Sequence, residues 1–185
     1  MENKVFLFTD GCSLGNGKKN CRASWALYVG EDSPYNASGK ISQKPSNQHA
    51  ELYGIMKALE AVQNMVQESS TSTIPISFVI VTDSMYSISC ITKWSRAWAK
   101  NGYKTKNGQP VKHSSVIKKS KELLENLNKN VHVTLIHTRS HQSAPQMNTE
   151  EFKIWFGNYQ ADLMASHVLQ EHKVVEIPLM KICLD

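Results

Sequence analysis

The order of apolar patterns along the chain restricts its fold to a small set of architectures. Three short apolar runs follow one another with only turn-like segments between them, which predicts an antiparallel meander. The predicted strands are 5–8, 23–29, 37–43, 76–81 and 131–136, and the predicted helices are 52–66, 85–100, 116–127 and 158–171. The predicted helices 85–100 and 116–127 both lie between the fourth and fifth strands and are counted as one in the order βββαβαβα. This order predicts an α/β fold. We expect a five-stranded mixed sheet, three antiparallel then two parallel strands, with helices on both faces.

Four acidic residues occupy comparable positions in these elements. Asp10 and Asp83 close apolar runs read as strands, whereas Glu51 and Asp162 fall in the first turns of predicted helices. Because strand ends and helix starts line the ligand crevice of an α/β fold, the four side chains should meet there. Carboxylates so close together repel one another unless cations neutralise them, and Mg²⁺ or Mn²⁺ suits oxygen ligands. The sequence therefore predicts a metal-dependent enzyme that acts on phosphates.

Each of these acids also has a purely structural interpretation. Asp10 precedes Gly11 in a common turn pair, Asp83 could cap the helix that follows it, and Glu51 and Asp162 could complement helix dipoles. The shared topological position of all four acids favours catalysis over these alternatives. In a site with two cations, we expect Asp10 to bridge both, with Glu51 and Asp83 completing one position and Asp162 the other.

Two histidines lie on the loop that follows the fifth predicted strand, at His137 and His141. A histidine beside a metal centre can transfer a proton to a leaving 3′ oxygen, because its pKa lies near neutrality. We expect His141 to have this role and His137, nearer the strand end, to be a packing or capping residue. A surface histidine without a role is the alternative for both.

Basic and aromatic residues are interleaved between Trp94 and Lys106. Basic side chains neutralise phosphates and aromatic rings stack on sugars or bases, so this segment is expected to bind a nucleic acid, although Trp94 and Trp98 could equally be an i,i+4 packing pair. A second, amide-rich group could contact 2′-hydroxyls or base edges, or could serve turns and caps. The candidate substrate-binding residues are Trp94, Trp98, Lys100, Tyr103, Lys104, Asn16, Asn47 and Gln48. The net charge of +5 agrees with a nucleic-acid ligand.

Composition also indicates the setting in which the protein works. No apolar run approaches the roughly 20 residues that a membrane span needs, and the first residues lead directly into a strand, so we expect neither an anchor nor a signal peptide. The four cysteines lack zinc-type spacing, which predicts reduced thiols and a cytoplasmic protein, or one in a nuclear or viral context. We expect a monomer with one catalytic domain at 1–172 and a short tail at 173–185.

With its motifs in this order, the chain resembles the type 1 ribonuclease H family from about residue 5 to residue 172. The matching motifs are Phe8-Thr9-Asp10-Gly11, Leu14-Gly15-Asn16, Ala50-Glu51-Leu52, Thr82-Asp83-Ser84-Met85-Tyr86, Ile91-Thr92-Lys93-Trp94, Trp98, Gly102-Tyr103-Lys104-Thr105, Pro110-Val111-Lys112, Ser140-His141, Gly157-Asn158 and Ala161-Asp162. The resemblance implies endonucleolytic cleavage of the RNA strand of an RNA–DNA hybrid, with 5′-phosphate and 3′-hydroxyl ends.

The resemblance also implies roles for individual residues. The four acids match the metal-binding acids of the family, and His141 matches its loop histidine. The segment 94–112 is similar to its basic protrusion, and Asn16, Asn47 and Gln48 fall where the family contacts the minor groove of its substrate.

Three features of the chain differ from the usual pattern of the family. The segment 146–156 looks inserted between His141 and Asp162, the loop 17–20 is more basic than usual, and His49 stands where a basic residue usually precedes the glutamate. Two alternative functions are compatible with the fold: a DNA-directed nuclease or resolvase, and a catalytically inert hybrid-binding module. The basic protrusion argues against the first alternative, and the presence of all four acids argues against the second.

Overall fold

The computed structural model describes residues 3–68, 76–140 and 142–170, and within these ranges it contains five strands and five α-helices. The strands are β1 (Asn3–Leu14), β2 (Arg22–Tyr28), β3 (Ala37–Lys40), β4 (Ile76–Thr82) and β5 (His132–His137), and the helices are α1 (Asn47–Glu68), α2 (Met85–Ser89), α3 (Ser95–Lys100), α4 (Ser114–Leu127) and α5 (Glu150–Gln170). A π-helical turn, Cys90–Trp94, joins α2 to α3. None of these helices combines the length and the apolar character needed to cross a bilayer. The predicted tail at 173–185 lies outside the described residues.

The five strands form one mixed sheet in the order β3-β2-β1-β4-β5. β1 is central: it pairs antiparallel with β2 and parallel with β4. β2 and β3 are antiparallel, whereas β4 and β5 are parallel. The prediction of three antiparallel strands followed by two parallel strands is therefore confirmed. In the register of β1 with β4, Thr9 is opposite Thr82, so Asp10 and Asp83 are the next residues on the two strands.

Helices cover both faces of the sheet, as predicted, because side chains of a strand alternate between its faces. Leu7 of β1 belongs to the larger core between the sheet and α1 and α4. Phe6 and Phe8 point to the other face, where they pack with Val79, Val81 and Ala161 under α5. Neighbouring residues of the central strand thus contribute to two separate apolar clusters.

The boundaries of four elements differ from the prediction by three residues or more: β3 ends at Lys40 and not at residue 43, α1 begins at Asn47 and not at residue 52, and β1 and α5 are longer than expected. β1 continues to Leu14, because residues 11–14 pair with residues 22–25 of β2, so Asp10 lies within the strand and not at its end. α5 begins at Glu150, eight residues before its predicted start, which puts Asp162 in the fourth turn of the helix and not in the first. Glu51 lies in the second turn of α1.

The early start of α5 has a local cause. The Thr149 hydroxyl accepts a hydrogen bond from the Phe152 backbone N–H at 3.1 Å, as an N-cap residue does. Glu150 and Glu151 in the first turn interact favourably with the positive end of the helix dipole. The segment that looked inserted in the sequence is therefore largely two additional turns of helix.

Candidate active site

The three acids on β1, α1 and the end of β4 form a compact cluster. Asp10, Glu51 and Asp83 each offer one carboxylate oxygen, and these three oxygens lie within 4.8 Å of one another. Asp162 on α5 joins the cluster from the other side, within hydrogen-bonding reach of the Asp10 carboxyl. All four acids that the sequence singled out are thus in one place, although Asp10, Glu51 and Asp162 reach it from element positions that differ from the predicted ones.

The approach of α1 to β1 depends on a glycine. A Cβ placed on Gly11 would overlap the backbone of Ala50 and Glu51, so a residue with any side chain at this position would push the helix away. Gly54, one turn further along α1, faces the backbone oxygen of Asp10, and its Cβ would lie 3.4 Å from that atom. The small residues let Glu51 project toward Asp10 from a helix in direct contact with the strand.

Burial and mutual repulsion disfavour ionisation within the cluster. Only 7% of Asp10 and 5% of Glu51 is exposed. Burial, followed by the charges of Asp83 and Asp162, raises the pKa of Asp10 to about 7. Burial and the charges of Asp10 and Asp83 also raise the pKa of Glu51 well above its ordinary value, and a backbone hydrogen bond from Gly11 only partly opposes this rise.

The donor set fits a hard divalent cation. Among the described residues, the Glu51 Oε2 atom is buried without a hydrogen-bond partner. A buried carboxylate oxygen without a donor is unfavourable by roughly 1–3 kcal/mol or more, and a bound cation would remove that penalty. Clustered carboxylate oxygens are the ligands that Mg²⁺ and Mn²⁺ prefer. The residues of the site therefore suit the predicted metal.

Of the two histidines, His137 is the last residue of β5 and lies in the described part of the chain. Its Nε2 atom is 3.1 Å from the backbone oxygen of Asp83, so this ring contacts the main chain next to the acid cluster. The contact agrees with the packing or capping role expected for His137. His141 lies outside the described residues, and its catalytic role stays a prediction.

The amide group predicted to contact substrate lies at the start of α1. The Asn47 backbone N–H donates to Asn16 Oδ1 at 3.2 Å, and the Ser13 hydroxyl donates to Asn47 Oδ1 at 3.4 Å. Asn16 and Gln48 are exposed. The structure thus brings Asn16 and Asn47 together one turn before Glu51, and the Asn16 side chain also satisfies an N–H group at the start of α1.

The basic protrusion, residues 94–112, exposes most but not all of the side chains that were predicted to contact substrate. Trp94 is 38% exposed and packs against Trp98 with 5.9 Å between ring centroids, while Lys100 and Lys104 are exposed. Tyr103 differs from the prediction: its side chain is buried, and the Lys118 ammonium lies 4.6 Å above its ring. This ring therefore anchors the protrusion to the core and is not available to stack on substrate.

The base of the protrusion is also joined to α1 by two histidines. The rings of His49 and His113 stack with 4.5 Å between centroids, and His113 adopts a left-handed backbone conformation with φ of 58°. Burial lowers the pKa of His113 to about 4, so this ring is neutral near pH 7. Sequence reasoning noted His49 only as an unusual residue and missed its partner.

Sequence reasoning also missed a row of aromatic residues on α5, because the segment before residue 158 was read as a loop. Trp155 stacks on Tyr159, with 5.6 Å between ring centroids and 3° between the ring planes. The signal that could have found this helical extension is Thr149 followed by two glutamates, a common start of a helix.

Comparisons with known proteins agree with this geometry. The RNase H family model matches residues 2–170. Ribonuclease H of Schizosaccharomyces pombe is 32% identical over 164 residues, and Ribonuclease H1 of Homo sapiens is 31% identical over 165 residues, covering 88% and 89% of this chain. The chain spans about half the length of these curated relatives, 52% and 50%.

Solved structures with the same fold include two of foamy viral origin. The RNase H domain of PFV has a TM-score of 0.63 at 21% identity, and the alignment covers 91% of this chain and 95% of that one. The foamy viral protease-reverse transcriptase, solved in complex with an RNA/DNA hybrid, has a TM-score of 0.60 at 20% identity, and the alignment covers 90% of this chain and 20% of that one.

Proposed function

Because the chain belongs to the ribonuclease H family, we propose that it is an endonuclease that hydrolyses the RNA strand of RNA–DNA hybrids and leaves 5′-phosphate and 3′-hydroxyl ends. The observation that carries the proposal is the cluster of Asp10, Glu51 and Asp83 oxygens within 4.8 Å of one another, with Asp162 beside Asp10. The names of the curated relatives and the hybrid bound to a structural neighbour support the choice of substrate.

The proposed cofactors are two Mg²⁺ ions, with Mn²⁺ as the alternative, held by Asp10, Glu51, Asp83 and Asp162. When bound, such a pair activates a water molecule and stabilises the charge on the leaving oxygen. The unpartnered Glu51 Oε2 atom and the raised pKa of Asp10 support a role in binding cations, because both are unfavourable in a site made of protein atoms alone.

The residues of the chain have separate tasks around that centre. Asp10 lies within the central strand and Glu51 on a helix packed against it, so the backbone positions of both carboxylates are set by packed elements. His137 contacts the backbone oxygen of Asp83 and thereby restrains the turn after β4. We assign to His141 the transfer of a proton to the leaving 3′ oxygen. General acid–base catalysis of this kind typically increases the rate by roughly 10²–10⁴-fold.

The proposed contacts with substrate come from two surfaces, the basic protrusion and the amides at the start of α1. Lys100 and Lys104, with the exposed Trp94 ring, are proposed to contact the phosphates and sugars of one strand. The amides of Asn16, Asn47 and Gln48 are proposed to contact 2′-hydroxyls in the minor groove. The burial of Tyr103 supports a different role for this residue, which is to hold the protrusion at a constant angle.

The decisive experiment is cleavage of an end-labelled RNA–DNA hybrid by the purified chain in Mg²⁺ and in EDTA. We expect cleavage in Mg²⁺ only, with products whose 5′-phosphate and 3′-hydroxyl ends allow ligation without further treatment. Asp83→Asn should bind the hybrid without cutting it, whereas Asp32→Asn, which changes an exposed acid far from the cluster in sequence, should cut normally.

Parallel substrates separate the proposal from its alternatives. Preferential cleavage of an all-DNA duplex or a four-way junction would identify a DNA-directed nuclease. Binding of the hybrid without cleavage in either Mg²⁺ or Mn²⁺ would identify an inert binding module. More than a few per cent of normal activity in Asp83→Asn would contradict the assignment of the metal ligands.

The setting of the protein is part of the same proposal. We propose that residues 1–172 form the catalytic domain and that it acts as a monomer, in the cytoplasm or in a nuclear or viral context. The free thiols of Cys12, Cys21 and Cys90 support a reducing compartment. Size-exclusion chromatography with light scattering would test the oligomeric state.

A further inference from the structure

A row of aromatic rings runs along the exposed flank of α5. The centroids of Phe152 and Trp155 are 5.7 Å apart, and those of Trp155 and Tyr159 are 5.6 Å apart with almost parallel planes. The Trp155 indole N–H donates to the Gln142 backbone oxygen at 2.9 Å, which fixes the orientation of its ring. The row is therefore an ordered surface of flat apolar rings.

This row lies on the same side of α5 as the acid cluster. At 3.6 residues per turn, Trp155, Tyr159, Asp162 and Ser166 fall within about 60° of the helix circumference. Asp162 interacts with Asp10, and the Ser166 hydroxyl donates to Cys12 Sγ at 3.7 Å, so the stripe faces the part of β1 that carries the site. With a rise of 1.5 Å per residue, Tyr159 and Trp155 lie about 4.5 and 10 Å along the axis from Asp162, or roughly one to three nucleotides of a strand.

The fold does not require an exposed ring at this position. The buried face of α5 is formed by Gly157, Asn158, Ala161, Ala165 and Leu169, and its centre lies roughly 90–130° around the helix from Trp155 and Tyr159. Tyr159 is 45% exposed, and its hydroxyl has no hydrogen-bond partner in the described parts of the chain. Contacts between rings four residues apart explain how the extension of α5 is stabilised, but they leave the outer surface of Tyr159 uncovered.

We propose that the Trp155–Tyr159 pair is a stacking subsite for an unpaired base on the strand whose phosphate lies at the acid cluster. The inference rests on the proposed function and adds a contact beside the cleavage site. An unpaired base is the occupant, because paired bases within a duplex already have both faces covered, whereas every free base offers a face to an aromatic ring. Glu150 and Glu151 lie at the N-terminal end of α5, so the base would be bound by the neutral rings and not by a local excess of positive charge.

The subsite predicts a preference for hybrids that end in a single-stranded RNA extension near the cut. The test uses such a hybrid with 2-aminopurine, whose fluorescence is quenched when it stacks, as the first unpaired base. The extension is placed at the 5′ end in one substrate and at the 3′ end in another, and binding is measured in EDTA so that no cleavage occurs. We expect quenching with one of the two extensions, and a Kd roughly tenfold lower than for the blunt hybrid.

Three variants of α5 distinguish stacking from a structural role. Tyr159→Leu keeps an apolar side chain but removes the ring, and it should abolish both the quenching and the tenfold difference. Tyr159→Phe keeps the ring and should retain both, and His167→Leu, at an exposed position on another side of the helix, should behave as the native chain. Circular dichroism would confirm that all three fold, since Tyr159 is exposed and makes no hydrogen bond within the described residues.

The outcomes separate the inference from the proposed function. Undiminished quenching in Tyr159→Leu, or equal affinity for blunt and extended hybrids, would overturn the subsite. Failure of the native chain to cut any hybrid in Mg²⁺ would overturn the proposed function, yet the binding experiment in EDTA would still report on the subsite. If the native chain cuts hybrids in Mg²⁺ but the extension changes neither the quenching nor the Kd, only the inference is refuted.

Discussion

At the scale of the residue, Asp10 carries a charge that the fold disfavours. Its pKa is raised from 3.8 to about 7 by burial and by the charges of Asp83 and Asp162. Between those two pKa values, Asp10 keeps in the folded protein a proton that it has lost in the unfolded chain. The free energy of unfolding of the metal-free protein therefore falls as pH rises through this range, and the decrease is complete above pH 7. At about 1.4 kcal/mol per pKa unit, the effect is on the order of 4 kcal/mol, shared with the neighbouring acids.

Asp10→Asn should therefore have opposite effects on activity and stability. We expect cleavage to be abolished, because a carboxamide is uncharged and binds Mg²⁺ weakly, while the free energy of unfolding at pH 8 in EDTA rises by about 1–3 kcal/mol. At pH 5, where Asp10 is already protonated, the two proteins should differ little. Urea denaturation at both pH values would measure this, with Asp32→Asn as an exposed control. A variant less stable than the native chain at pH 8 would contradict the electrostatic explanation.

The sequence predicted the convergence of the acids but not the burial of Tyr103, and the difference has a physical reason. Asp10 and Asp83 directly follow paired residues of two neighbouring parallel strands, so their proximity follows from the order of the strands. The burial of Tyr103 depends instead on its left-handed φ of 60° and on Lys118 of α4 lying over its ring. Neither feature has a signature in the residues adjacent to Tyr103.

At the scale of the element, the basic protrusion is a short hairpin that presents lysines to solvent. Thr105 and Gln109 are joined by a backbone hydrogen bond of 2.7 Å, and Lys104 pairs with Pro110 across the turn. Two further backbone bonds brace the segment internally: the Tyr103 N–H donates to the Trp98 oxygen at 2.7 Å, and the Val111 N–H donates to the Tyr103 oxygen at 2.8 Å. The lysines are therefore carried on a braced element and not on a free loop.

Replacing Lys100, Lys104 and Lys106 together by glutamine should weaken hybrid binding and leave the rate of the chemical step nearly unchanged. Each lost phosphate contact should reduce the slope of log Kd against log salt by about 0.9. Titrations between low and moderate salt would measure the slope, with Lys129→Gln, an exposed lysine just beyond the end of α4 and outside the protrusion, as the control. An unchanged slope would mean that the protrusion does not touch the phosphate backbone.

The contact between α5 and β1 depends on a glycine at position 157. A Cβ placed on Gly157 would overlap the Phe8 ring, so the helix lies on the sheet at a distance that only glycine permits. Gly157→Ala should reduce the free energy of unfolding by about 1–3 kcal/mol, because overpacking forces the helix away. Because Asp162 lies on the same helix, activity should fall as well. Urea denaturation would show this, and Gly30→Ala, whose Cβ meets no atom within 4 Å, is the matched control.

The start of α5 shows where a local sequence pattern was overlooked. Phe152, Trp155, Phe156 and Tyr159 follow the i, i+3, i+4, i+7 spacing of a helix, but they come after a stretch rich in polar residues that was read as one continuous loop up to residue 158. What defines the helix there is the N-cap at Thr149 and the contacts among rings four residues apart, and the latter exist only once the helix has formed. By contrast, β4 was predicted to within one residue, and the C-terminal end of α1 to within two, because each has a continuous apolar pattern.

At the scale of the whole molecule, a basic chain with a net charge of +5 surrounds a concentrated group of acids. The amides of Asn16 and Asn47 meet at the start of α1, one turn before Glu51, and His113, next to the basic protrusion, stacks on His49 of the same helix. Both proposed contact surfaces therefore adjoin the helix that carries Glu51. The arrangement suits an extended double-stranded polyanion better than a small phosphate ester.

This arrangement predicts that one ribonucleotide within a DNA duplex is a poor substrate. The amides around Asn16 and Asn47 are proposed to contact several consecutive 2′-hydroxyls, and a single ribonucleotide supplies only one. Cleavage rates for duplexes with one, two, three and four consecutive ribonucleotides should rise steeply with that number. Efficient cutting at the isolated ribonucleotide would contradict recognition through several 2′-hydroxyls.

The acid cluster combines residues from both ends of the described chain. Asp10 lies on β1, and Asp162 lies on α5, whose Ala165 backbone oxygen accepts a hydrogen bond from Ser24 on β2 at 2.6 Å. During synthesis from the N-terminus, a ribosome-bound chain displays Asp10, Glu51 and Asp83 well before α5 exists. The nascent protein therefore has an incomplete set of acids, with the α5 side of the sheet uncovered. The same late docking step buries Phe6 and Phe8 and completes the active site.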